Sequence, residues 1–220
     1  MPGTRKHFSE ELKDLHQSLL KMGILVEESI QKSIIALKGH NSELAGQIIH
    51  DDEDINRAET GILDHCTKLL ATQQPVAGDL RTIVTAIKVA TQLERIGDHA
   101  VHIAKSVLKL SEDPFIRDLI DIPRMAKICQ AMIRDILTAL INNDGDYARE
   151  VAARDDEVDK LYYRITRELV TGMTEDKAKI NQGLELIFVV RYLERMGDHV
   201  TNISELIIYN TSGRHVELNR

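Results

Sequence analysis

A chain of 220 residues has room for one or two domains and for a sizeable buried core. It has no Trp, only 4 Pro and 4% aromatic residues, which argues against an all-β fold and for long helices. Lys and Arg number 28 against 35 Asp and Glu, and the resulting net charge of −7 argues against a nucleic-acid partner while leaving cations and basic protein surfaces open.

The first predicted helix carries Leu12, Leu15, Leu19, Met22, Val26 and Ile30 at steps of three and four, extended by Ile34 and Leu37. That spacing is the seam of a helix packed lengthwise on another. Gly39-His40-Asn41-Ser42 breaks it, with Asn41 or Ser42 as the next N-cap. A second helix is expected from about Ser42 to Gln73, with an acidic run Asp51-Asp52-Glu53-Asp54 in its middle. It stops before Pro75, because a residue preceding proline avoids the helical region. A third helix is expected over Val76–Leu110, ended by Ser111-Glu112-Asp113-Pro114. Pro123 suits the start of a fourth, which reaches Asn143. After the turn Asn142–Asp146, two more are expected over Asp146–Met173 and Glu175–Tyr209. The fold expected is all-α, six long antiparallel helices in two tandem three-helix bundles, residues 1–112 and 113–220.

The two halves repeat one unit. Residues 93–99 read Leu-Glu-Arg-Ile-Gly-Asp-His and residues 193–199 read Leu-Glu-Arg-Met-Gly-Asp-His. Upstream, Asp52-Glu53-Asp54-Ile55-Asn56 lies over Asp155-Asp156-Glu157-Val158-Asp159. The spacing changes from 103 to 100 between these blocks, which places a small length difference near Gln74-Pro75.

On a helix, residues four apart share a face. Glu94 with Asp98, Glu194 with Asp198, and Asp155 with Asp159 are such pairs; the first half offers Asp52 and Asn56, with Glu59 one turn further on. Acidic turns of neighbouring helices laid side by side would crowd carboxylates that need cations to stay ionised. Hard oxygen ligands suit Mg, Ca, Mn or oxidised Fe, and carboxylates also accept Zn. Gly97 and Gly197 accompany both faces although glycine costs about 1 kcal/mol inside a helix, which points to close approach or open space beside the acids. His99 and His199 point about 100° away from the acids. His102 and Asn202 continue the acidic faces by a turn, as outer ligands or packing groups.

No Gly-rich phosphate loop, His-Glu-x-x-His, Gly-x-Ser-x-Gly or EF-hand loop is present, and no His has a Glu three residues before it. The residues support a non-catalytic helical adaptor with metal-binding faces. A metal-dependent helical-bundle enzyme, an oxidase or phosphohydrolase, is one alternative, and a metal-free structural helical protein with solvated acids is another. Cys66 and Cys129 have no metal-like spacing and read as small buried residues of a reducing cytosol. The first residues have no apolar core and no run approaches the ~18 residues of a span, so a cytoplasmic protein without a membrane span is expected.

The duplicated Leu-Glu-Arg-x-Gly-Asp, the acidic turns of the second helices and Gln74-Pro75-Val76-Ala77-Gly78-Asp79-Leu80-Arg81 resemble the PhoU family of phosphate-uptake regulators, from about Phe8 to Tyr209. The resemblance implies a homodimer and multinuclear metal sites (Fe, Zn, Mn or Mg). By motif the ligands would be Asp52, Asn56, Glu94 and Asp98 in one half, and Asp155, Asp159, Glu194 and Asp198 in the other. Asn56 departs from the acid pattern and weakens the first set. The resemblance also implies negative regulation of the phosphate-starvation response, by coupling a phosphate ABC transporter ATPase subunit to a sensor histidine kinase.

Overall fold

The computed structural model describes residues 2–110, 114–116 and 119–218, with the side chains of all of these except residues 2–7 and 9. Among these residues every regular element is helical. In order they are α1 (Pro2–Lys38), α2 (Ser42–Gln73), α3 (Gly78–Lys109), α4 (Asp121–Asn142), α5 (Gly145–Ala152), α6 (Asp155–Glu175), a 3-10 turn at Lys177–Lys179, and α7 (Ile180–Ser212). Helices α1, α2 and α3 form one three-helix bundle; α4, the α5–α6 pair and α7 form the second. The expected stop at Ser111–Asp113 and the boundary between 112 and 113 lie outside the described residues.

The local signals act as their chemistry requires. Asn41 is the N-cap of α2, its Oδ1 accepting the Leu44 N–H at 2.9 Å. Gln74 takes a left-handed conformation (φ 46°) between the end of α2 and Pro75. The helix expected over 146–173 is divided at Ala153-Arg154 into α5 and α6. The division starts a new helix at Asp155-Asp156-Glu157, so three acids occupy a first turn, where the helix dipole favours negative charge. Arg154 at the joint pairs with Asp135 of α4. In the first half the matching acids stay in the middle of an unbroken α2. The last helix also begins later than expected. Asp176 accepts the Ala178 N–H at 2.9 Å and caps the 3-10 turn, and regular helix resumes at Ile180 and runs past Tyr209 to Ser212.

The α1 seam residues Leu15, Leu19, Met22, Val26 and Ile30 are buried, as are Ile133, Ile136, Leu137 and Leu140 on α4. Each such side chain contributes about 1.5–3 kcal/mol on leaving water. Leu12 sits only partly buried at the edge of this core. Cys66 and Cys129 are buried free thiols, and burial pushes the Cys66 thiol up to about 11.

Two contacts join the halves. Helices α3 and α7 lie antiparallel, with the Thr82 hydroxyl donating to Asn210 Oδ1 (3.2 Å) at one end and Lys109 Nζ 3.2 Å from Glu185 at the other. Helices α1 and α4 meet at Gly23, where a Cβ would lie 2.2 Å from Leu137 Cδ1. Beside it Gln130 donates to the Glu27 carbonyl (3.0 Å) and Arg134 pairs with the Glu27 carboxylate.

Candidate metal centre

Each half presents an acidic face where its middle helix crosses its last. In the second half Asp155 and Asp159, on α6, lie within electrostatic reach of Asp198 on α7; Glu194 acts on Asp155 and is itself acted on by Asp159. Asp155, Asp159 and Asp198 share a hollow of about 370 Å³ whose wall also includes Arg149, Asp156, Thr201 and Leu218. In the first half Asp52 of α2 stands close to Asp98 and Glu94 of α3, with Glu59 adding to the field at Glu94. All eight residues expected from the motifs therefore fall on these two faces. Asn56 donates from Nδ2 to Asp52 Oδ2 at 3.2 Å, a bond that leaves its Oδ1 unused.

The glycines do what their retention in both copies suggested. A Cβ on Gly197 would stand 2.1 Å from Asp155 Oδ1, so the carboxylate occupies the notch that glycine leaves in α7. At Gly97 the nearest atoms are Ile55 Cδ1 (3.0 Å) and Cγ2 (3.3 Å), with Asp52 Oδ1 at 3.6 Å. In the first half Ile55 fills the notch and Asp52 stands at ordinary contact, whereas in the second the carboxylate fills it and the matching Val158 Cγ1 stands back at 3.5 Å.

Burial, and then like charge, sets the electrostatics. Asp155 is pushed up to about 7, first by burial and then by Asp159 and Asp198, with the Thr201 hydroxyl (3.3 Å from Oδ2) opposing. Burial followed by the charge of Asp98 raises Asp52 and Glu94; burial followed by Asp198 raises Asp159 and Glu194. The Glu side chains are equally covered, 17% exposed at Glu94 and 16% at Glu194, and each has one Arg nitrogen at 3.5 Å.

Whether these residues fit a cation can be asked of single atoms. Asp52 Oδ1 and Asp155 Oδ1 are buried and accept no hydrogen bond; Glu94 Oε2 and Glu194 Oε2 accept none either, but each already has an Arg Nε at 3.5 Å. An unsatisfied buried carboxylate oxygen is costly, and its recurrence at matching positions in both halves suits a cation as the missing partner. The donor set is all oxygen, the chemistry of hard ions. No three His, Cys, Asp or Glu groups among the described residues are already gathered into a coordination shell, so binding would draw the side chains inward.

His99 and His199 face elsewhere, whereas His102 lies within electrostatic reach of Asp52. His99 and His199 meet between α3 and α7, Nε2 to Nε2 at 3.3 Å, and His199 Nδ1 lies 2.8 Å from Gln92 Oε1. Burial, then His199 and His102, holds His99 down at about 4, so it is neutral near pH 7. His102 stacks on Tyr192 (4.9 Å) and Asn202 donates to Gln92, so both serve the joint between halves. Glu59 accepts from the Thr91 hydroxyl at 2.9 Å. Sequence reasoning missed Thr201 and Leu218. The first left one trace, a hydroxyl residue where the first copy has Val101; the second left none, because only the path of the chain after α7 brings it to the site.

Comparison with known proteins gives a consistent result. The PhoU domain matches twice, over residues 19–107 and 122–207. A phosphate-specific transport system accessory protein PhoU homolog from Clostridium acetobutylicum is 43% identical over 217 residues, 98% of this chain and 99% of that one. The crystal structure of the phosphate transport system regulatory protein PhoU from Streptococcus pneumoniae superposes with a TM-score of 0.89 at 33% identity, covering 96% of this chain and 99% of that one. PhoU from Pseudomonas aeruginosa gives 0.88 at 39% identity, covering 94% and 100%. With the domain found in both halves and relatives aligned along nearly its whole length, the chain belongs to the PhoU family.

Proposed function

We propose that this chain is a non-catalytic, metal-binding adaptor that negatively regulates phosphate uptake and the phosphate-starvation response. In this reading it links the ATPase subunit of a phosphate ABC transporter to a sensor histidine kinase, works in the cytoplasm and forms a homodimer. The names of its relatives support the regulatory part: they are accessory and regulatory proteins of phosphate transport. No helix of the described residues is long and apolar enough to cross a membrane, in keeping with action on a transporter from outside the bilayer.

The observation that carries the metal part is the pair of buried carboxylate oxygens, Asp52 Oδ1 and Asp155 Oδ1, that accept no hydrogen bond at matching positions of the two faces. Asp155, Asp159, Glu194 and Asp198 would hold ions in the second half; Asp52, Glu94 and Asp98, with Asn56, would hold them in the first. Bound cations would supply the positive charge that lets these crowded carboxylates stay ionised at neutral pH. The chain's own part is to hold the acids in place through the glycine notches and the Thr201 and Asn56 hydrogen bonds.

Two experiments test this reading. Deleting the protein, in a strain without a second copy, should leave phosphate-starvation genes expressed when phosphate is plentiful; normal repression would refute the pathway. Purified protein should also capture the transporter ATPase and the sensor kinase, and capture of neither, with or without added metal, would refute the adaptor role.

A further inference from the structure

The chain beyond α7 turns back toward the second acidic face. Gly213 ends α7 at φ +71°, a left-handed turn that reverses the chain's direction. The Arg214 N–H bonds the Ser212 hydroxyl at 3.1 Å, and His215 stacks flat on Tyr209, 4.2 Å between centroids. From there burial alternates: Val216 and Leu218 are half-buried against the core, while His215 and Glu217 are exposed. That is the period of an extended segment packed on one side. Its reach agrees. From Gly213 to Leu218 an extended chain covers about 16 Å, and about 16 Å of helix separates Ser212 from Thr201. Leu218 arrives at the level of the acids. Its N–H donates to Glu205 Oε1 at 2.7 Å, and it lines the hollow with Asp155, Asp159, Asp198 and Thr201.

The first half is built differently. The described residues after α3 leave toward other elements: Phe115 stacks on His40 at 4.2 Å, and the Ile116 N–H donates to Gln182 at 2.6 Å. An apolar side chain at the rim of an acidic hollow narrows the approach of a hydrated ion and offers it no oxygen in place of its water.

The geometry points to residues 214–218 as a strap, pinned by the Leu218–Glu205 hydrogen bond, that controls ion entry and exit at the second acidic face and has no counterpart at the first face among the described residues. This rests on the metal-binding reading above. The strap makes the repeated faces unequal in exchange rate, independently of the Asn56 difference in ligands. The slow face would retain its ions while the fast face follows free ion concentration.

The test uses the full chain in two backgrounds, Glu94→Gln/Asp98→Asn to leave the second face and Glu194→Gln/Asp198→Asn to leave the first. Each is loaded with Zn²⁺ and mixed with excess chromogenic chelator, and release is followed by absorbance. Release from the second face should be slower than from the first, by about tenfold for each 1.4 kcal/mol that opening the strap costs. Leu218→Ala and Glu205→Ala should each remove most of that delay and leave first-face release unchanged. Glu205→Gln keeps the accepting oxygen and should keep the delay, which separates the strap from a simple loss of charge. Unchanged second-face release in both alanine variants, with normal zinc loading, would overturn the strap and leave the metal reading intact. Failure of either background to take up zinc would overturn the metal reading and the strap with it.

Discussion

Gly197→Ala tests the second acidic face with one carbon. The added Cβ would stand 2.1 Å from Asp155 Oδ1 and 3.2 Å from its Cγ, where ordinary contact begins at 3.4 Å. The oxygen must retreat by about 1.3 Å, several times the ~0.2 Å tolerance of metal–ligand distances. Stability should move far less. Alanine gains about 1 kcal/mol over glycine inside a helix, and a carboxylate forced off its rotamer gives back about 0.5–1.5 kcal/mol. Pushing Asp155 toward water also relieves the burial that raises it to about 7. The metal-free variant should therefore melt within a few degrees of the wild type, while its second face loses at least about tenfold in metal affinity, as when a ligand's supporting contact is removed. Gly97→Ala is the control. Its Cβ meets Ile55 first and lies at ordinary contact, 3.6 Å, from Asp52 Oδ1, so it should disturb packing more than ion binding. Isothermal titration with Mn²⁺, alongside melting in EDTA, reads both effects. Wild-type affinity at the second face of Gly197→Ala would refute the placement of Asp155 as a ligand held in the glycine notch.

Other consequences follow from the same contacts. Thr201→Val keeps the shape but removes the hydroxyl bonded to Asp155 Oδ2, and should weaken ion binding at the second face by about tenfold or more, read by the same titration. In EDTA, wild-type stability should fall relative to Asp155→Asn as pH rises from about 4 to about 7. The folded Asp155 holds its proton up to about 7 and the unfolded one only to the ordinary 3.8, so the folded state binds more protons across that window. Melting curves of both proteins at several pH values check this, and a constant difference would contradict it. Gly23→Ala would drive a methyl into the buried Leu137 across the α1–α4 contact; overpacking of about 1–3 kcal/mol, less the about 1 kcal/mol that alanine gains in a helix, should leave a net cost of up to about 2 kcal/mol. Chemical denaturation reads that loss, and an unchanged midpoint would show that the two bundles pack more loosely there.

The sequence made the repeat legible because each copy carries the same acids and the same glycine at one spacing, and helical periodicity then placed the acids on shared faces. Gly97 and Gly197 signalled the notches because nothing about helix propensity explains them. The break at Ala153-Arg154 was hidden, since no Gly or Pro marks it; it arises from a cluster of acids taking a helix start and from an Arg154 pair with α4 that only tertiary packing creates. His99 and His199 could be turned away from the acids by helical geometry alone, but not toward each other, because that needs the antiparallel registry of α3 and α7. The approach of Leu218 depends on a reversal at Gly213 and on the sixteen residues of chain between it and Thr201, a distance no local pattern spans.

The central claim is that the two acidic faces hold cations, and the most direct measurement is metal per chain by elemental analysis. Protein grown in metal-replete medium should carry Fe, Zn, Mn or Mg, lose it to a chelator and regain it on reloading. Asp198→Ala should lower the content more than Asp98→Ala, because the second face has a carboxylate where the first has Asn56. A wild-type protein that carries no metal and takes none on reloading, or two variants that both keep the wild-type content, would contradict the account and leave these faces as acids that hold no ion.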